Sequence, residues 1–257
     1  MNESVSSHLY NTIKSLMKLP ELDQFLLGGG TNLAIKYNYR VSTDIDLFCP
    51  EQVSFTELSL IKSKIESLFG KENCSIQIKN KDSKFACFLT GFANGIRLDV
   101  IHNIPFNHPV QIVDGIRLVN DIDIGALKLI SASDRGSRKD FYDLYFLSNK
   151  YSLDVLFNEY LVREEKYIGE KFQNLFSVTN SEKLRSCLYR SLSSLGDFRE
   201  ANLTQNNKII IPENSIFKQV SWFDIRENWK KQVITLAEER NIIFEETTNQ
   251  RKPKFRL

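Results

Sequence analysis

Two aspartates separated by one residue, Asp44 and Asp46, are the groups in this sequence best suited to metal chemistry. The alternating apolar pattern of residues 42–48 is typical of a β-strand, so both carboxylates project from the same face. Two like charges this close repel each other, and a divalent cation relieves the repulsion because magnesium prefers carboxylate oxygens. The alternative is a solvated pair on the exposed face of an edge strand. The spacing therefore predicts either a magnesium site or a solvated carboxylate pair.

A glycine turn precedes the two aspartates. Gly28-Gly29-Gly30 ends the short apolar strand predicted at 25–27, and Thr31 is expected to cap a short helix over 32–37. Glycine lets a backbone approach an anion closely, and a helix N-terminus attracts negative charge. One strand–turn–helix–strand unit would then place phosphates beside the metal. Arg40, between the turn and the aspartates, is a natural second phosphate ligand. The alternatives are a simple tight bend for the glycines and a surface salt bridge for the arginine.

A third carboxylate lies in the strand predicted at 96–101. Asp99 shares a face of that strand with Arg97 and Ile101. If this strand lies beside the first one, Asp99 completes a triad with the two earlier aspartates. Such a triad can hold two metal ions for an in-line phosphoryl displacement. The alternative is that Asp99 pairs only with its neighbour Arg97.

A charged segment follows in the second half of the chain. The charged residues of interest in it are Lys128, Arg135, Arg138, Lys139, Asp140 and Asp143. Ser137 with Asp140 resembles a capping box, so a helix is expected to start there. Asp140 and Asp143 would share one face of this helix, and Lys139 could pair with Asp143. The segment is either a solvated charged helix start or a basic cluster that binds a triphosphate and is ordered by acidic partners.

The elements that must position these residues follow from hydrophobic periodicity. Helices are predicted at 3–18, 55–69, 121–133, 137–149, 153–167, 181–195 and 221–241. Strands are predicted at 74–79, 84–90 and 96–101, with two shorter strands at 110–113 and 116–119. The pattern predicts an α+β protein with a mixed α/β domain over 1–120 and a mostly helical domain over 121–257.

Composition excludes several classes of protein. The chain has 257 residues with 42% hydrophobic residues, and its four cysteines form no C-x-x-C pair. With only three histidines, any metal chemistry must use carboxylates. No apolar run is long enough for a bilayer, and the first twenty residues lack signal-peptide features, so a cytoplasmic location is expected. The net charge of +2 gives no strongly basic nucleic-acid footprint. The basic tail over 251–256 is either a solvated terminus or an RNA contact.

The motifs together resemble a known family. Gly29-Gly30-Thr31 followed by the segment 39–48 (YRVSTDIDLF) looks like the first signature of the AbiEii/AbiGii toxin family, a branch of the polymerase-β-like nucleotidyltransferases. Lys128-Leu129-Ile130 followed by 138–144 (RKDFYDL) looks like its later motif. The resemblance covers roughly residues 24–149, and the rest of the chain carries no motif that can be aligned.

The resemblance implies a polymerase-β-like core, a mixed sheet flanked by helices, followed by a mostly helical part that completes the nucleotide and acceptor site. It implies a role for each matched position. Asp44, Asp46 and Asp99 would hold two magnesium ions. The triphosphate would be bound by Gly29, Gly30 and Thr31. Lys128 would contact the nucleotide, and Asp143 would be the later essential acid, with Asp140 as a close candidate. Arg40, Arg138 and Lys139 are the further expected nucleotide contacts. Such proteins transfer a nucleotide from an NTP to an acceptor, often RNA such as tRNA, and release pyrophosphate.

Members of this family commonly act as toxins of toxin–antitoxin or phage-defence systems, so a cognate antitoxin is an expected partner. Two other functions use some of the same residues. A haloacid-dehalogenase-like phosphohydrolase also carries Asp-x-Asp after a strand, but it requires an apolar strand where this chain has Val41-Ser42-Thr43. A non-catalytic nucleotide-binding module would keep the fold but is expected to lack one of the carboxylates.

Overall fold

The computed structural model describes residues 3–83, 86–175, 188–203 and 208–246. Its helices are α1 (Ser7–Leu16), α2 (Gly29–Tyr37), α3 (Phe55–Phe69), α4 (Asp121–Asp134), α5 (Arg138–Tyr151), α6 (Leu153–Lys166), α7 (Arg199–Asn202) and α8 (Trp222–Arg240). Short 3-10 turns lie at Pro20–Leu22, Lys71–Asn73, Glu170–Phe172 and Ser193–Gly196. None of the helices in these ranges is long and apolar enough to cross a membrane.

Seven strands form one mixed sheet. They are β1 (Leu26–Leu27), β2 (Ile45–Phe48), β3 (Cys74–Lys79), β4 (Phe88–Ala93), β5 (Ile96–Ile101), β6 (Gln111–Val113) and β7 (Ile116–Leu118). Their order across the sheet is β3-β4-β5-β2-β1-β7-β6. The β2–β5 and β1–β7 pairs are parallel, and the other neighbours are antiparallel. The predicted α+β class with a mixed sheet flanked by helices is therefore confirmed.

The two faces of the central strands contribute to different hydrophobic cores. Ile45 and Leu47 of β2 point into a core formed with α1 and α3. Phe48 and Ile101 belong to the other core, which is built mainly from α4, α5, α6 and α8. Since side chains alternate along a strand, Asp46 lies on the face of the second core. The helical second half of the chain therefore packs over the end of the sheet that carries this aspartate.

Local sequence explains where several elements begin and end. Ser54 and Glu57 form a reciprocal capping box at the start of α3, and Ser221 with Asp224 does the same for α8. The side chain of Ser137 accepts a hydrogen bond from the Asp140 backbone N–H at the start of α5, as the sequence predicts. Asn38 ends α2 in the left-handed conformation, which asparagine tolerates better than most residues.

Some predicted boundaries are wrong. Thr31 does not cap the helix: Gly28 is the N-cap, and α2 begins at Gly29 inside the glycine turn. The strand predicted over 42–48 begins only at Ile45, because the Asp44 carbonyl accepts a hydrogen bond from the Thr31 hydroxyl and the Ser42 N–H bonds to the Ser4 carbonyl.

Other differences fall nearer the second half of the chain. The strand predicted at 84–90 starts at Phe88. The helix predicted at 181–195 is a turn and a 3-10 segment over its described residues 188–195. Residues 84–85, 181–187 and the basic tail at 251–256 lie outside the described residues. The division into domains at residue 120 stays a prediction.

Candidate active site

Two of the three predicted metal ligands lie side by side on one face of the sheet, and the third lies just before one of these strands. Asp46 in β2 lies directly opposite Asp99 in β5, in a parallel pair, so both side chains leave the sheet on the same side. Asp44 lies just before β2, and its charge also acts on Asp46. We refer to Asp44, Asp46 and Asp99 as the carboxylate cluster. The prediction that the strand of Asp99 lies beside the strand of Asp46 is confirmed, and the metal-binding role of the three acids stays a prediction.

Asp46 is the electrostatically strained member of the carboxylate cluster. Burial, the charge of Asp99 and the charge of Asp44 raise its pKa to about 6, although Lys128 and Arg135 act in the opposite direction. Within the described part of the chain, no group donates a hydrogen bond to its carboxylate. A half-buried, unpartnered carboxylate beside two others is in the state that a cation would stabilise.

The other two carboxylates are partly engaged by neighbours. Asp99 accepts a hydrogen bond of 2.5 Å from the Thr90 hydroxyl and forms an ion pair of 3.1 Å with the Arg97 guanidinium. Asp44 is 42% exposed, and its carboxylate lies 4.0 Å from the Lys139 ammonium. With these contacts in place, the described residues contain no group of three His, Cys, Asp or Glu side chains that could hold a metal ion. The donor set suits magnesium in its chemistry, but the side chains are not arranged as a ready-made metal centre.

The glycine turn packs directly against the carboxylate cluster. Gly29 has a φ of +61°, and a Cβ there would lie 2.0 Å from the Asp46 carboxylate. A Cβ on Gly30 would lie 2.1 Å from the Arg40 guanidinium. Side chains at these two positions are therefore excluded by close approach, and at Gly29 also by backbone conformation. The turn is fixed to β2 by a hydrogen bond from the Gly28 N–H to the Asp46 carbonyl.

The start of α2 offers backbone donors next to Asp46. The first intrahelical bond runs from the Asn32 N–H to the Gly28 carbonyl. In the described structure the N–H groups of Gly29, Gly30 and Thr31 have no backbone acceptor, as is usual for the first turn of a helix. Unpaired N–H groups at a helix start bind anions. The Thr31 hydroxyl itself is occupied, because it bonds to the Asp44 carbonyl and to Ser42.

Arg40 and the later charged residues form a second cluster beneath the turn. We call the side chains of Tyr39, Arg40, Lys128, Arg135, Asp140 and Asp143 the buried ion network, although Arg135 itself is 61% exposed and reaches the buried Asp140 from the surface. Asp143 binds the Arg40 guanidinium through two bonds of 2.6 and 2.8 Å and receives the Lys128 ammonium at 2.7 Å. The Tyr39 hydroxyl donates a further hydrogen bond to Asp143. The negative charge of Asp143 is therefore neutralised by cations of the protein itself.

Asp140 is the second carboxylate of the buried ion network. Its carboxylate forms an ion pair with the Lys128 ammonium at 3.0 Å and accepts two hydrogen bonds from the Arg135 guanidinium, at 2.7 and 2.8 Å. The Ser137 hydroxyl donates a further hydrogen bond of 2.6 Å. Burial alone would raise the pKa of both Asp140 and Asp143, but the neighbouring cations hold both pKa values below the ordinary range. The expectation that the two aspartates share a helix face is confirmed, since both contact Lys128.

Several predicted nucleotide contacts are occupied by protein partners. Arg40 and Lys128 are buried and paired with aspartates rather than free at a surface. Arg138 bonds to the Ala201 carbonyl, and its guanidinium lies over the Trp222 ring. The predicted pairing of Lys139 with Asp143 is wrong: Asp143 is already taken by the cations of the network, and Lys139 extends toward Asp44.

Two residues that hydrogen-bond to the aspartates of the site have no role predicted from the sequence. Tyr39 directly precedes Arg40 and supports Asp143, which its position in the motif could have suggested. Thr90 supports Asp99, but only the register of β4 on β5 brings the two together, and no local pattern reveals that register.

The sequence is similar to that of known proteins. The sequence model described as nucleotidyl transferase AbiEii toxin, Type IV TA system, matches residues 13–242. An uncharacterized protein of Aquifex aeolicus (strain VF5) is 30% identical over 172 residues, which are 65% of this chain and 75% of that protein.

Solved structures similar to this chain have low sequence identity to it. JHP933 from Helicobacter pylori is 16% identical with a TM-score of 0.47, over 91% of this chain and 90% of that chain. MenT4, a nucleotidyltransferase toxin from Mycobacterium tuberculosis H37Rv, is 12% identical with a TM-score of 0.37, over 90% of this chain and 95% of that chain.

Proposed function

This chain belongs to the AbiEii nucleotidyltransferase toxin family, and we propose that it transfers a nucleotide from an NTP to an RNA acceptor, such as tRNA, in a magnesium-dependent reaction. The observation that carries the proposal is the register of Asp46 against Asp99 beside the glycine turn. That register brings carboxylates and free backbone N–H groups to one spot, as a reaction at a nucleoside triphosphate requires.

The carboxylate cluster would hold the magnesium ions. Asp46 is unpartnered, and the ion pairs of Asp99 and Asp44 are made with a partly exposed arginine and a partly exposed lysine, while Thr90 also donates a hydrogen bond to Asp99. Such exposed ion pairs contribute about 0–1 kcal/mol, so a cation can displace them at small cost. Bound magnesium would supply charge neutralisation at the phosphates and activation of the attacking hydroxyl.

The chain's own residues would supply binding and orientation. The N–H groups at the start of α2 would bind the triphosphate, and Lys139 lies close enough to Asp44 to contact its phosphates as well. The acceptor hydroxyl would attack the α-phosphorus, forming the new P–O bond while the bond to the β-phosphate oxygen breaks and pyrophosphate leaves. Asp99 would accept the hydroxyl proton, because it borders the open part of the sheet from which an acceptor can approach.

We assign the buried ion network a positioning role rather than direct contact with the nucleotide. Arg40 touches the glycine turn at Gly30 and is itself fixed by Asp143, which is fixed by Lys128 and Tyr39. The chain of contacts thus connects α4 and α5 to the phosphate-binding turn. A cognate antitoxin, expected for a type IV system, is part of the same proposal.

Incubation of the purified protein with labelled NTPs, magnesium and total RNA tests the proposal. We expect label on RNA and release of pyrophosphate, both lost with Asp46→Asn. Release of inorganic phosphate without labelling would instead support a phosphohydrolase. NTP binding with neither outcome would indicate a non-catalytic module.

A further inference from the structure

The sheet face that carries the carboxylate cluster continues as an open surface over β5, β4 and β3. Thr90 lies opposite Asp99, and Phe92 lies opposite Arg97, so these four side chains share one face. The opposite face of the same strands is covered by α3 and is buried. On the open face, Phe92 is 51% exposed and the Arg97 side chain is 53% exposed.

The open face has the composition of a single-strand binding surface. An exposed aromatic ring on a sheet stacks on a nucleobase, and a neighbouring arginine binds the phosphate backbone. Phe92 makes no ring contact with another aromatic residue in the described structure, so its exposed part remains available for stacking. Lys79 and Lys81, on the outer strand and its following turn, are exposed and form no ion pair with described residues. Beyond Asp99, the outer part of the face therefore carries positive charge that is complementary to a polyanion.

The open face is continuous with the carboxylate cluster. Neighbouring strands are about 4.8 Å apart, and residues two apart in a strand are separated by about 7 Å. Phe92 lies on the strand next to that of Asp99 and is displaced by two residues along it. The two Cα atoms are therefore roughly 8 Å apart. A nucleotide whose hydroxyl is presented at Asp99 would therefore place an adjacent base within reach of the Phe92 ring.

We propose that the open face formed by Phe92, Arg97 and Lys79 is the docking surface for the single-stranded 3′ end of the RNA acceptor. Phe92 stacks on the base next to the reacting nucleotide. Arg97, whose exposed pairing with Asp99 is weak, exchanges this carboxylate for an RNA phosphate. The inference rests on the proposed transfer to RNA, and it adds the surface that brings the acceptor to Asp99.

The test measures binding and transfer separately. A 5′-fluorescein-labelled single-stranded RNA of about 12 nucleotides and mixed sequence is titrated with the protein, and fluorescence anisotropy gives the Kd. We expect Phe92→Ala to weaken binding about 10-fold, and Phe92→Trp to bind as tightly as the wild type. Arg97→Gln should lower the slope of log Kd against log salt by about 1, which corresponds to the loss of one phosphate contact.

Phe55→Ala is the matched control. Phe55 is 46% exposed on α3, which covers the opposite face of the sheet. Its replacement should leave the RNA affinity unchanged. Equal affinities for Phe92→Ala and Phe55→Ala would overturn the docking surface and would leave this face to a protein partner.

The same variants are assayed for labelling of total RNA from labelled NTP. If the wild type labels RNA and Phe92→Ala labels it equally well at limiting RNA, the docking surface is wrong while the proposed function stands. If the wild type labels no RNA, the proposed function fails, and the docking surface fails with it. Reduced labelling by Phe92→Ala that is restored by excess RNA supports the inference, because it places the defect in acceptor binding.

Discussion

Two charged regions lie next to each other in this molecule and differ in how their charges are balanced. In the buried ion network, Asp143 and Asp140 are fully buried and each is neutralised by two cations. In the carboxylate cluster, Asp46 has like charges as neighbours and no partner in the described structure, and its pKa is raised to about 6. A protein gains nothing in stability from an arrangement of the second kind. Unbalanced charge therefore indicates where a ligand binds, and balanced buried charge indicates what positions it.

The largest expected effect is on catalysis. Asp46→Asn keeps the volume of the side chain but removes a metal ligand and one of the repelling charges. We expect nucleotide transfer to fall by about 100-fold or more, with an unfolding temperature equal to or above that of the wild type. Asp23→Asn, at an exposed position outside the carboxylate cluster, is the control. Normal transfer by Asp46→Asn would show that the carboxylate cluster is not the reaction centre.

The second prediction concerns the buried ion network. Asp143→Ala leaves Arg40 and Lys128 buried with one carboxylate fewer, so we expect the free energy of unfolding to drop by about 3–5 kcal/mol. Denaturant titration measures this loss. Asp44→Ala, at a half-exposed position, should change the same quantity by less than about 1 kcal/mol. Equal losses for the two variants would remove the contrast between the regions.

The glycine turn links the two regions and gives the third prediction. Gly29→Ala forces a Cβ onto the Asp46 carboxylate and strains a backbone with φ of +61°, so we expect transfer to fall together with stability. Gly95 is a matched control because its φ is +74° and a Cβ there meets no atom within 4 Å. Gly95→Ala should lose about 1–2 kcal/mol of stability but keep full transfer. If both variants transfer normally, the turn does not position Asp46.

The smallest expected effect is a pH dependence of stability. The pKa of Asp46 is about 6 in the folded protein against an ordinary 3.8, so the folded state holds this proton more tightly than the unfolded state. Stability from this group is present below the ordinary pKa and is lost as the pH rises through about 6. We expect the wild type to lose about 1–2 kcal/mol relative to Asp46→Asn between about pH 4 and about pH 7. Parallel stability curves would contradict the repulsion within the carboxylate cluster.

The sequence predicts the carboxylate cluster better than it predicts the buried ion network. Asp44 and Asp46 are two residues apart at the start of a short alternating strand, so local spacing alone brings the two carboxylates near each other, although the strand itself begins at Ile45. Asp99 required only that its strand lie beside β2, which the parallel pairing confirms. Local spacing carries this information because the relevant contacts lie within a strand or between neighbouring strands.

The roles of Arg40, Lys128 and Thr31 depend on contacts that local spacing does not contain. Arg40 contacts Asp143, which lies 103 positions later in the sequence. An arginine can serve either as a phosphate ligand or as a buried ion-pair partner, so the residue type alone does not distinguish the two roles. The Thr31 hydroxyl bonds to the Asp44 carbonyl, so α2 starts earlier and β2 starts later than propensity indicates. Tertiary hydrogen bonds decided both boundaries.

The binding of magnesium together with NTP tests the central claim most directly. The unfolding temperatures of the wild type, Asp46→Asn and the exposed control Asp23→Asn are measured with increasing magnesium at a fixed NTP concentration, since a ligand that binds only the folded state raises this temperature. We predict a magnesium-dependent rise for the wild type and for Asp23→Asn, and none for Asp46→Asn. An equal rise for all three proteins, or none for the wild type, would contradict the assignment of the carboxylate cluster as the metal and nucleotide site.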